Sequence, residues 1–175
     1  MTKSKNQTMS TADAIKYFDS LGPIMADEML GFYWRGEGID TDHPMDGMLE
    51  SSRWWGKMFK GPDDVHPLIH KGLFKKRFSV NPALLPIRLA THLPLRDVLG
   101  PVLFPPLSPL ASTRKPKARL RMMEFRGKLS AAMCYDAKPI NDCFRKIDED
   151  TVIGWMDFKG MDQPYFFKLF RDEPV

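Results

Sequence analysis

The hydrophobic pattern is most regular near the end of the chain, where Leu129, Ala131, Met133 and Tyr135 alternate with Ser130, Ala132, Cys134 and Asp136. Period two marks a half-buried strand, because successive side chains point to opposite faces. Further apolar runs cover residues 144–147, 152–159 and 165–171, separated by Asp148-Glu149-Asp150 and by the stretch 160–164. Adding residues 119–126, the pattern predicts an antiparallel meander of four or five strands joined by hairpin turns. A meander of this length must close or be covered to protect its edges, and a barrel is the economical solution. Met122, Met133, Tyr135, Met156, Phe158, Phe167 and Leu169 are then candidate inward positions.

The first third reads differently. Ser10 and Asp13 form a capping pair for a helix whose apolar face is Ala14, Tyr17, Phe18 and Leu21, and Gly22-Pro23 ends it. A second short helix is predicted over residues 24–30, then a strand over 32–35, then turns through the glycine-containing stretch 36–44. A helix is expected from near Met45, with Met45, Met48, Leu49, Trp55 and Phe59 toward its buried side.

Composition sets the class. At 175 residues the chain suits one compact domain, read as three stretches: a helix-bearing part over 1–64, a basic proline-rich connection over 65–117, and the meander over 118–175. The hydrophobic share of 43% and charged share of 27% are ordinary for a globular protein. Two cysteines, Cys134 and Cys143, make no disulfide framework, and no apolar signal segment opens the chain, so a cytoplasmic location is expected.

The net charge of +4 is unevenly spread, with eleven Lys or Arg and one acid between Val65 and Met123. The charge-free run 98–112 is too short and too rich in proline to span a bilayer as a helix. Followed directly by Arg114, Lys115, Lys117, Arg119 and Arg121, it suggests a peripheral contact of 98–121 with an anionic membrane. The alternative is a loop wrapped over the strands, its basic residues solvated. No nucleic-acid partner is expected, because the segment lacks aromatic interleaving and any known binding motif.

Three tryptophans, five glycines and a histidine crowd into residues 30–57. The run Trp34-Arg35-Gly36, followed by Asp42-His43-Pro44, Asp46-Gly47 and Trp55-Gly56-Lys57, resembles the bacterial GXWXG domain. One departure is that Gly31 precedes Trp34 by three residues where the family name implies two. The tail, FRGKLSAAMCYDAKPINDCFRKIDEDTVIGWMDFKG and then PYFFKLFRD, resembles the domain of unknown function DUF4334 that follows it in relatives. More distantly, WRGEG together with Leu169-Phe170-Arg171 is similar to the calycins: lipocalins, fatty-acid-binding proteins and nitrobindins. That resemblance implies a lipocalin-like antiparallel β-barrel with Trp34 packed under Arg171, a cation–π contact of roughly 0.5 to 2 kcal/mol.

The same resemblance implies that the barrel binds a hydrophobic or lipid-like small molecule with an anionic head, such as a fatty acid. Trp34, Trp55, Lys57, Tyr135 and Arg145 are the candidate pocket residues, with Arg126, Arg145 or Lys57 able to meet a carboxylate. For any one of the apolar positions, plain core packing is the competing reading. The rival function is a small isomerase, dehydratase or hydrolase built as a cone, in which His43 and Asp46 form an oriented general base. Asp136, Asp142 and Asp157 can then supply acids; against this, Asp42 and His43 before Pro44 can simply fix a turn. No metal or cofactor is expected: His43, His66, His70 and His92 lack metal-ligand spacing, no histidine follows His92, and no phosphate-binding glycine loop is present.

Overall fold

Ser10 opens the first helix as the sequence predicts, its hydroxyl accepting the N–H of Asp13. In the computed structural model, which describes residues 7–72, 76–85 and 108–175, the elements begin with β1 (Gln7–Thr8), α1 (Thr11–Ser20), α2 (Ala26–Met29) and β2 (Phe32–Asp40). They continue with α3 (Met48–Ser51), β3 (Trp54–Gly61), β4 (Asp64–Lys71), β5 (Arg77–Val80) and β6 (Ser112–Thr113). The meander follows as β7 (Ala118–Phe125), β8 (Lys128–Tyr135), β9 (Ile140–Lys146), β10 (Thr151–Phe158) and β11 (Tyr165–Pro174).

The protein is mainly antiparallel β, and eight of its strands form a ring in the order β2, β3, β4, β7, β8, β9, β10, β11 and back to β2. The hairpins of the meander carry most of the register. At the other side β4 forks: its second half pairs with β5 through Ile69 and Ser79, while its first half meets β7 at Val65 and Ala118. The inward rows of the ring bury Trp34, Phe59, Met133, Phe144, Val152, Met156, Phe158, Phe167 and Leu169 as one cluster, with Met122 and Tyr135 packed against it. A second, outer cluster lies under α1, where Ala14 and Phe18 meet Ala132, Cys143, Ile153 and Phe166.

Two sequence expectations change. The turns predicted over 36–44 give way to a strand that runs to Asp40, and the helix predicted from Met45 is one turn, leaving Trp55 and Phe59 on β3. The glycines are close approaches within the sheet. A Cβ on Gly36 would lie 2.0 Å from Cη2 of Trp54, and one on Gly56 would lie 1.9 Å from the carbonyl oxygen of Trp34. The stretch over 65–117 is also more than a connection, because it begins with a strand of the ring despite Pro67. Pro67 is tolerated since it falls where the β3–β4 ladder shifts register, between His66 and Ile69, so its missing N–H breaks no ladder bond. Of the stretch 98–121, residues 98–107 lie outside the described part, as does His92.

Candidate functional site

Register shifts build the site. An unbroken strand would send Trp54 and Lys57, three residues apart, to opposite faces. On β3 the register slips between Trp54 and Gly56 and again between Gly56 and Met58, so Trp54 and Lys57 both face the interior while Trp55 turns outward. From β9, the inward row Ile140, Asp142 and Phe144 brings a carboxylate opposite the lysine.

These residues line a cavity of about 70 Å³ at one end of the ring. Its wall is almost entirely apolar, with Leu49, Leu68, Ile140 and Met156 prominent. The far end of the ring is plugged by Ile24, Met29, Trp34 and Phe59, and there Arg171 lies over the rings of Phe32 and Trp34, 4.8 and 5.1 Å from their centroids. Trp34 also donates its indole N–H to the carbonyl of Met29 at 3.0 Å. By size the cavity falls below the roughly 300 to 1,000 Å³ of pockets that take drug-sized ligands, yet it exceeds several-fold the ~15 Å³ needed for one water.

Lys57 is the centre of the polar wall. Nζ donates to Oδ2 of Asp142 at 2.8 Å and to the carbonyl of Pro67 at 3.3 Å, and both side chains of the ion pair are at most 3% exposed. Three rings surround the ammonium, with Phe167, Trp54 and Tyr135 centroids 4.9, 5.5 and 5.7 Å away. Burial pushes Lys57 below the usual lysine range against the pull of Asp142, and burial pushes Asp142 above the usual carboxylate range against the pull of Lys57. Burial, with the Asp142 charge, likewise holds the Tyr135 phenol well above its ordinary value.

His70 completes this wall. Its Nδ1 sits 2.9 Å from the carbonyl of Ser52, which can only accept, so Nδ1 carries the proton. Burial brings its pKa down to about 4, and at neutral pH the ring is uncharged. Two buried polar atoms of wall residues have no close hydrogen bond among the described residues: the indole Nε1 of Trp54, a donor, and Oδ1 of Asp142, an acceptor whose carboxyl also has the Tyr135 phenol as a neighbour.

Of the pocket candidates read from the sequence, Lys57 and Tyr135 line the cavity. The other three stand elsewhere. Trp34 is fully buried in the plug. Trp55 faces outward, edge-on to Tyr33 and covered by the guanidinium of Arg77. Arg145 follows Phe144 on β9 and therefore points to the outer face, where it donates to the carbonyls of Phe144 and Phe125 and lies 4.7 Å from the Phe18 ring. Arg126 pairs with Asp19 on the surface.

The suggested His43 and Asp46 dyad is arranged as a turn. Asp46 accepts the backbone N–H groups of Thr41 and His43 at 2.9 and 2.7 Å, not the imidazole. The imidazole accepts the N–H of Met45 at Nδ1, which leaves Nε2 protonated to donate to the carbonyl of Gln163 at 3.1 Å. Burial raises Asp46 even so, outweighing the two N–H groups.

Sequence reading passed over Trp54, His70 and Tyr165 as wall residues and named Asp142 only as a possible acid. Asp142 had a visible signal: it is two residues before the inward Phe144.

Comparison with known proteins fits this architecture. Residues 16–73 match the family model described as GXWXG protein, and residues 116–171 match the one described as domain of unknown function DUF4334. A crystal structure of a protein from Thermomonospora curvata is 31% identical over 95% of this chain and 90% of that one, with a TM-score of 0.71. The chain belongs to the GXWXG–DUF4334 family. In this family member the two matched segments divide the site between them: Trp54, Lys57 and His70 come from the GXWXG part, and Tyr135, Asp142 and Phe167 from the DUF4334 part. Neither segment alone contains both partners of the buried ion pair. No curated protein matches the chain.

Proposed function

We propose that this protein binds a small, mostly apolar and uncharged molecule carrying one hydroxyl or carbonyl group, in the cavity at the end of the ring. The observation that carries this reading is a cavity with an almost wholly apolar wall, one of whose residues, Trp54, has a buried indole N–H with no partner among the described residues. Leaving a buried donor or acceptor unmatched costs roughly 1 to 3 kcal/mol, and a guest oxygen that accepts from the indole or donates to the carboxylate recovers it.

Charge selects against the anionic head expected from the sequence. Lys57 is the cation on the wall, and Asp142 already neutralises it at 2.8 Å. Among the described residues a carboxylate guest would face Asp142 without a spare counter-charge, because Arg145 stands on the opposite face of β9. Size selects against a whole long acyl chain. Membrane contact through the basic stretch also has fewer free cations than the sequence count suggests, since Arg119 pairs with Asp136 and Arg121 with Asp63. We read the ring as a calycin-like barrel, supported by Arg171 over Trp34 at its plugged end.

The test is a thermal-unfolding panel with short branched alcohols, ketones and the matching carboxylates. Neutral compounds should raise the unfolding temperature in a saturable way and change the fluorescence of Trp54, and carboxylates should not. A panel in which no neutral compound shifts either signal, or in which the carboxylates bind best, overturns the reading.

A further inference from the structure

Lys57 has the surroundings of a reactive amine as well as those of an anchor. Its side chain lines the cavity, and two acceptors, Asp142 Oδ2 at 2.8 Å and the Pro67 carbonyl at 3.3 Å, engage two of the three N–H bonds of an ammonium. Around it stand the rings of Trp54, Tyr135 and Phe167, which keep water away. Desolvation acts on both partners in the sense that transfers the proton from Nζ to the carboxylate, lowering Lys57 and raising Asp142. The resting pair is an ammonium beside a carboxylate, and a completed transfer would leave a neutral amine beside a carboxylic acid, next to a space sized for a small guest. A lysine desolvated in an apolar pocket is nucleophilic toward carbonyl carbon.

We infer that Lys57 forms a Schiff base with a small apolar aldehyde or ketone held in the cavity. This rests on the cavity being a binding site for small neutral molecules and adds a covalent step to it. The lone pair of Nζ adds to the carbonyl carbon while the π pair moves to oxygen. A proton passes from nitrogen to that oxygen, giving a carbinolamine. Asp142 then delivers its proton to the hydroxyl, which leaves as water as the C=N bond forms. Overall one carbonyl compound and one lysine ammonium give one iminium and one water, with no change of oxidation state. The Asp142 carboxylate ends opposite the iminium as it began opposite the ammonium, so the buried charge balance is kept.

The experiment is reductive trapping. The folded protein is incubated near neutral pH with isovaleraldehyde and cyanoborohydride, which converts an iminium to a stable secondary amine, and the adducts are mapped by peptide mass spectrometry. Labelling at Lys57 should be about tenfold or more faster than at the exposed Lys16 and Lys60, and denaturing urea should abolish that preference. Lys57→Arg keeps a cation opposite Asp142 but cannot form the imine, so the preferred adduct should vanish in that variant. Adducts spread over exposed lysines with Lys57 unmodified in the native wild-type protein overturn the inference, whether or not the variant folds.

Isoamyl alcohol, which has the same carbon skeleton and no carbonyl, separates the two levels. If it stabilises the protein while the aldehyde is not trapped at Lys57, the covalent step is wrong and the binding site stands. If neither has an effect, both fall.

Discussion

Strand β9 places two ionic residues three positions apart on opposite faces of one sheet, and their surroundings differ completely. Asp142 points into the ring and holds Lys57 beside a cavity, whereas Arg145 points outward beneath α1 and is packed solid. Both cations are almost fully buried. Lys57 has a carboxylate at 2.8 Å, while Arg145 is in no ion pair among the described residues and relies on two backbone carbonyls and the Phe18 ring. A buried cation is therefore a poor marker of a site by itself. What distinguishes the inner one is the cavity beside it, since an unmatched polar atom, Nε of Arg145, is found on the outer face as well.

The sharpest way to break this comparison is to remove one member of the inner pair. Lys57→Met leaves Asp142 buried without its counter-ion and should cost about 3 to 5 kcal/mol in urea unfolding. Adding Asp142→Leu should restore most of that loss, since an apolar pair of similar volume replaces a desolvated one. A single substitution costing under about 1 kcal/mol would show that the pair is solvated, contrary to its burial here.

Acid should act on the inner face next. His70 is neutral in the fold with a pKa of about 4, against an unfolded value near 6.5, so the unfolded chain binds its proton first as pH falls. The contribution of His70 is thus fully present above about pH 6.5 and is lost progressively toward pH 4, up to about 3 kcal/mol in all. His66, also depressed by burial, adds a slope of the same sign. Replacing His70 by Gln should flatten the stability curve in this window without removing the His66 share; an unchanged slope would contradict the burial of the ring.

Arg145→Met probes the outer face. It strands two carbonyl acceptors but keeps apolar volume against Phe18 and should cost about 2 kcal/mol, leaving guest binding unchanged. A loss of binding in this variant would erase the distinction between the faces. The smallest stability effect is expected from Leu68→Phe, which adds volume where the wall has room. Stability should move by about 1 kcal/mol or less, yet neutral guests should lose their thermal shift.

The meander was legible because Ala131, Met133 and Tyr135 do face the interior and its turns are marked by acids, glycine and proline, although β8 is buried on both faces through Ser130 and Ala132 and Leu129 at its start is exposed. The other half of the ring was not, for two physical reasons. Gly36 and Gly56 have the composition of turns but serve as flat places where Trp54 and the Trp34 backbone approach. Pro67 reads as a break but occupies a ladder irregularity. The site suffered most, because period-two counting cannot place Trp54 and Lys57 on one face across a register shift, and Lys57 was singled out from its residue type alone. Asp142 needed only the start of β9 moved back from Phe144 to Ile140.

The fork in β4 gives the circumference a lightly fastened joint. Val65 and Ala118 are the register pair across it among the described residues, against six such pairs between β10 and β11. Local opening draws on the least supported contacts first. Amide protons at this joint should therefore trade with deuterium well ahead of those in the meander.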